Sequence, residues 1–184
     1  MTFSGCNFSN SKSSGNGIYA MDAGVNVLPY YAPGDYARAH PTHSQFTGFV
    51  RGIDAESTMG INPVTSVDFT DFNACSVGVF VSVLNNTAVT RCSFNVGLGT
   101  YVSQVTGDPC PQNIGIYMKN ANTFTIEQNT FTGHFNSALK NYGVVVENSN
   151  YYNNSVYRSN FSNLDYGCFA IGYNGSGTTP GLHF

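Results

Sequence analysis

Asp54 and Glu56 are the two residues of this 184-residue chain best placed for acid–base chemistry. They follow Gly52 by two and four positions in Gly52-Ile53-Asp54-Ala55-Glu56. Side chains alternate faces along an extended strand, so both carboxylates point the same way, about 6.6 Å apart. That separation lies within the range used in glycoside hydrolysis. Lyase chemistry would also want a basic group beside the acids, and Arg51 is the one at hand. A blander account is a solvated acidic face, because the corresponding positions of the neighbouring segments are Tyr19 and Phe80, and Met21 and Ser82.

Two further groups of residues suit binding. The longest insertion, Val25 to Ser44, carries Tyr30, Tyr31, Tyr36, Arg38, His40 and His43, an aromatic and cationic set fit for a sugar or a peptide. Its two histidines have no third ligand at zinc spacing, so no metal and no cofactor is expected. The second group is an outward column two residues after each of six glycines: Tyr19, Asp54, Phe80, Tyr117, Val145 and Phe169. Alternation places it on a face that should meet water. Phe80, Tyr117 and Phe169, with Val145, then form a stripe that wants a cover: a folded-back insertion, another domain or a glycan. A protein cover fits better, since phenylalanine and valine offer no polar handle to hydroxyls.

The elements that position these residues repeat. Gly17-Ile18-Tyr19-Ala20 recurs from Gly52, Gly78, Gly115, Gly143 and Gly167, and each copy is followed by a closing phenylalanine, which in four of the six comes two residues after a small or polar one (Ser44, Cys92, Asn129 and Ser159). Taking Phe46, Phe69, Phe94, Phe131, Phe161 and Phe184 as the closing residues, the counts from glycine are 29, 17, 16, 16, 18 and 17. From phenylalanine to the next glycine the spacing varies more. A fixed half and a variable half are the mark of a solenoid, and the two-residue period makes it a β-solenoid. One residue after glycine come Ile18, Ile53, Val79, Ile116, Val144 and Cys168; three after come Ala20, Ala55, Val81, Met118, Val146 and Ala170. These are the inward columns. Phe3 takes the inward place of Val64, Val89, Ile126 and Val156. The fold expected is a right-handed parallel β-helix of about six coils, roughly 29 Å long, with its insertions at one corner.

Composition agrees. Charged residues are 9 % of the chain, there are 20 glycines and 22 asparagines, and the net charge is −3. Low charge with ample Phe, Tyr and Val argues against disorder. No basic stripe suits nucleic acid, and no apolar run is long enough for a membrane span. Cys6, Cys92 and Cys168 fall in inward columns as small hydrophobes, whereas Cys75 and Cys110 lie in successive corners where a disulfide would be geometrically allowed. The chain opens inside a strand without a leader pattern and closes on Phe184. Residues 1–184 therefore read as one β-helix segment of a longer chain, or as a unit that stacks end to end.

Cys/Asn-x-Phe followed by Gly-Ile-Tyr-Ala or Gly-Ile-Tyr-Met, in Asn- and Ser-rich surroundings, resembles the secreted parallel β-helix repeat proteins of Bacteroidota. That resemblance implies a secreted or cell-surface location and export by type IX secretion. Its motifs are structural and bring no catalytic residue to any position here. The reading favoured is a non-enzymatic structural or adhesive module, partnered by other domains or a surface protein. The alternative is a polysaccharide lyase or hydrolase, or a polysaccharide-binding module, on the same scaffold.

Overall fold

The computed structural model describes residues 1–12, 14–35, 38–59, 63–98, 113–134, 139–150, 153–175 and 181–184, and no helix occurs among them. Each coil passes through three parallel sheets. Sheet A holds β1 (Thr2–Ser4), β4 (Val25–Leu28), β7 (Thr65–Asp68), β10 (Thr87–Thr90), β13 (Thr125–Glu127), β16 (Asn154–Tyr157) and β19 (Leu182–His183). Sheet B holds β2 (Asn7–Ser9), β5 (Ser44–Thr47), β8 (Thr70–Asn73), β11 (Ser93–Val96), β14 (Thr130–Gly133) and β17 (Asn160–Ser162). Sheet C holds β3 (Asn16–Met21), β6 (Arg51–Glu56), β9 (Val77–Ser82), β12 (Asn113–Lys119), β15 (Asn141–Glu147) and β18 (Tyr166–Ile171). The glycine-led segments are sheet C. This is the parallel β-helix that the repeats predict, with three strands to a coil where the repeat pattern resolves two.

The missing strand hides behind a one-residue bend. Between sheets A and B the chain turns on a single residue in the left-handed region: Gly5 (φ 59°), Phe69 (45°), Arg91 (53°), Gln128 (56°) and Arg158 (53°). Only one of the five is glycine, so composition does not announce the corner. The next residue is small or polar and ties adjacent coils. Cys6 N–H donates to Ser44 Oγ at 3.2 Å, Cys92 N–H to Asn129 Oδ1 at 2.9 Å, and Asn129 N–H to Ser159 Oγ at 3.2 Å.

Phe8, Phe46, Phe72, Phe94, Phe131 and Phe161 form one ladder inside the rod, with ring centroids 4.6 to 5.3 Å apart. Two closing phenylalanines expected from spacing are not in it. In the second coil the closing residue is Phe72; Phe69 occupies the bend, and the inward residue of sheet A is Val67, fully buried, not Val64, which is exposed. The cause is a longer connection from β6 to β7, residues 57–64, which moves the later strands of that coil along the sequence. Phe184 follows β19, which pairs with β16 in sheet A, so it closes no coil and is 66 % exposed.

The ladder explains the glycines. A Cβ on Gly17, Gly52, Gly78, Gly115 or Gly143 would lie 2.6 to 2.7 Å from the carbonyl oxygen of the glycine in the next coil. It would also lie 2.6 to 2.8 Å from the ring of the phenylalanine in its own coil. Glycine and phenylalanine are one packing pair, which is why they recur together. The insertions, by contrast, leave from two corners: residues 29–43 between sheets A and B, and residues 97–112 between sheets B and C. A loop can leave at any bend without breaking a ladder, so confinement to a single corner is not required.

Outside the rod, sheet B carries two stacked columns. Asn7, Gln45, Asp71, Ser93, Thr130 and Asn160 form one; Ser9, Thr47, Asn73, Asn95, Thr132 and Ser162 form the other. None of the twelve is buried. Of the cysteines, Cys92 is a buried thiol that donates to Thr90 O at 3.1 Å, Cys168 is half-buried, and both are pushed up by burial. Cys75 is a buried free thiol, raised to about 11 by burial; Cys110 lies outside the described residues.

Candidate functional site

On sheet C the glycine breaks strict alternation, so the residue before it and the residue two after it share the outer face. The column before glycine runs Asn16, Arg51, Val77, Ile114, Tyr142 and Tyr166. This gathers the acid–base candidates. Arg51 Nη1 donates to Asp54 Oδ2 at 3.0 Å and to Glu56 Oε1 at 3.2 Å, and Asn16 Nδ2 donates to Asp54 Oδ2 at 2.7 Å. The Arg51 guanidinium also lies 3.8 Å above the centre of the Phe80 ring. Asn16 was not legible as a partner of Asp54. Its one signal is its place in the column before glycine.

Asp54 does not belong to a solvated face: it is 2 % exposed, and its Oδ1 is buried without a hydrogen-bond partner. Alternation correctly turns it outward but cannot tell what lies over it. Burial raises its carboxyl to about 6; Arg51 opposes the rise and neighbouring Glu56 adds to it. The group can hold a proton near neutral pH, yet at this burial it is not presented to a substrate. Its chemistry is linkage. A carboxyl whose folded pKa is raised contributes stability at low pH that is lost as pH rises through the folded value. Asp22 has the opposite sign. It accepts hydrogen bonds from Thr58 Oγ1 and N–H, both at 2.7 Å, from Met59 N–H and from Ser57 Oγ, and these hold it at about 2. Its contribution is lost as pH falls from the usual carboxylate range toward 2. Thermal stability should therefore peak near about pH 4, where the two effects balance. Asp54→Asn should flatten the decline from there to pH 7 and leave the acid limb in place, as read from melting midpoints across pH.

The stripe of aromatic residues is also buried within the chain. Phe80 is 4 %, Tyr117 1 % and Val145 0 % exposed, and Phe169 is half-buried. With Val77, Ile114 and Tyr142 they make a second apolar cluster outside the rod, separate from the core within it. The expectation that this column meets water is thus corrected. Phe80 meets Tyr117 edge-on, the Tyr117 hydroxyl donates to Glu147, and Tyr142 stacks on Tyr166 at 5.0 Å. Lys119 and Glu147 are register partners as expected, but it is Tyr117 that takes the Glu147 carboxylate.

The binding candidates of the first insertion stand at the bend between sheets A and B. Tyr30 and Thr42 exchange both backbone hydrogen bonds, at 3.0 and 2.7 Å, which closes the base of the loop. Asp35 accepts from the N–H groups of Ala39 and His40, and the Arg38 guanidinium lies 5.6 Å from the Tyr31 ring centre. The loop leans on later coils. His43 Nδ1 is 3.1 Å from Asp71, its ring is 5.4 Å from that of Phe69, and the Arg91 guanidinium lies 4.4 Å over the Phe69 ring. Asp68 holds Arg91 through Nε at 2.9 Å and Nη2 at 2.5 Å and raises its pKa. Tyr36 lies outside the described residues. Among the described residues no group of three His, Cys, Asp or Glu could hold a metal ion.

No family model, no curated protein and no solved structure matches the chain.

Proposed function

We propose that this chain is a non-enzymatic β-helix module of a secreted or cell-surface protein, a rigid support that displays loops such as residues 29–43 to a partner. The observation that carries the reading is where the carboxylates go. Ten acidic residues are present, of which all but Asp108 are described. Each of those nine is engaged, and seven reach into a neighbouring coil: Asp22 to Ser57 and Thr58, Asp54 to Asn16, Asp68 to Arg91, Asp71 to His43, Glu127 to Arg158, Glu147 to Tyr117 and Asp165 to the Asn141 N–H. Acids so spent tie coils together and do not converge on an open cleft. The exposed pairs among them, such as Glu127 with Arg158, contribute at most about 1 kcal/mol each and set register more than stability. No helix among the described residues is long and apolar enough to cross a membrane.

The alternative, a lyase or hydrolase, draws on the joined Arg51, Asp54 and Glu56. Incubation with neutral and acidic polysaccharides, followed by reducing-end and unsaturated-uronate assays, separates the two. Under the module reading the wild type releases no more product than Asp54→Asn or Glu56→Gln. Turnover that disappears in those variants would overturn it.

A further inference from the structure

We infer that the outer face of sheet B is a binding surface for a linear, neutral polysaccharide lying along the rod axis. It is a different surface from the displayed loop and stands apart from the reading above. Both outward columns of this sheet are continuous over all six strands and built entirely from Asn, Gln, Ser, Thr and one Asp. No apolar side chain stands in either column, whereas in the middle coils Val77, Phe80, Ile114, Tyr117, Tyr142 and Val145 make the outer face of sheet C apolar and buried. The contrast within one set of coils shows that outward strand positions of this chain are free to be apolar, and that these are not.

The chemistry selects the ligand. A protein partner would need apolar surface to bury, and this face offers none. A polyanion would need a row of cations, and the only charged residue of the twelve is Asp71, paired with His43. What remains is a grid of hydroxyls and carboxamides, each able to donate and accept. Along the axis the same kinds of group recur once per coil, at the 4.6 to 5.3 Å steps shown by the phenylalanine ladder beneath. A linear sugar polymer repeats its hydroxyls along one direction in steps of similar size. The bend at the border with sheet A adds the rings of Tyr31 and Phe69 at one edge. The side chains are already partly ordered, since Asn95 Nδ2 donates to Asn73 Oδ1 and Ser162 Oγ to Thr132 Oγ1, which lowers the entropic cost of engaging a ligand.

The test is native electrophoresis through gels containing a mixed-linkage β-glucan, a xyloglucan or a galactomannan, with polygalacturonate as the charged comparison. The wild type should be retarded in at least one neutral gel. The quadruple variant Ser93→Ala, Asn95→Val, Thr130→Val, Thr132→Val removes the central four polar groups without touching the core. It should keep the wild-type melting midpoint within a few degrees and bind at least about tenfold more weakly. If that variant melts early, Thr130→Val with Thr132→Val, near-isosteric and favourable in strands, should still weaken retardation. Retardation only by polygalacturonate, no retardation in any neutral gel, or retardation unchanged in a folded variant overturns the inference. Turnover in the assay of the preceding subsection would leave it standing, because that reaction is assigned to sheet C.

Discussion

Gly115→Ala is expected to destabilise the chain by about 3 kcal/mol or more, an unusually large effect for adding one methyl group. The new Cβ would sit 2.6 Å from the Gly143 carbonyl oxygen and 2.6 Å from two atoms of the Phe131 ring. The oxygen is part of the ladder between β12 and β15 and cannot retreat, and the ring is held between Phe94 and Phe161. Phe131→Ala should cost about 3 to 5 kcal/mol, because the ring is fully buried and its neighbours above and below are fixed. Combined, the two changes should cost less than their sum by on the order of 1 kcal/mol, since removing the ring relieves half of the clash. Urea denaturation of the two single variants and the double variant measures all three quantities. A loss below about 1 kcal/mol for Gly115→Ala would mean that the ring does not lie across the glycine.

Phe80→Ser combined with Tyr117→Ser should lower stability by roughly 5 kcal/mol or more. Both rings are buried in the outer cluster of sheet C, and losing the Tyr117 hydroxyl also strips Glu147 of its donor. A typical domain has only about 5 to 15 kcal/mol in total, so a large unfolded fraction is expected at 37 °C. Melting midpoint and light scattering should be read together. A midpoint that barely moves while partner binding or self-association falls would restore the column to the role of a docking stripe.

The inward columns were legible because a two-residue period in Ile, Val and Ala can only be a strand with one face buried. Phe46, Phe94, Phe131 and Phe161 were legible for a packing reason, each being bound to the glycine it covers. Phe72 was missed because Phe69, three residues earlier, fits the same spacing better, and no count reveals that residues 57–64 lengthen the coil ahead of it. The third strand escaped because its bend is carried by Arg91, Gln128 and Arg158, residues that do not signal a left-handed backbone. In the candidate site, Asp54, Glu56 and Arg51 were found from alternation and proximity in sequence. The burial of Asp54 and its bond to Asn16 depend on what other coils and loops bring over it, which periodicity does not encode.

Residue-resolved amide hydrogen exchange tests the central claim most directly. In a solenoid each coil is stabilised only by its neighbours, so protection should be greatest where there are coils on both sides. Exchange should be slowest at Val79–Val81 and Ile116–Met118, and should quicken toward β1, β2 and β3 at one end and β17, β18 and β19 at the other. Equal protection from end to end would mean that the terminal coils are covered or stack on further copies, whereas faster exchange at Ile116–Met118 than at β3 and β18 would contradict a scaffold of stacked coils.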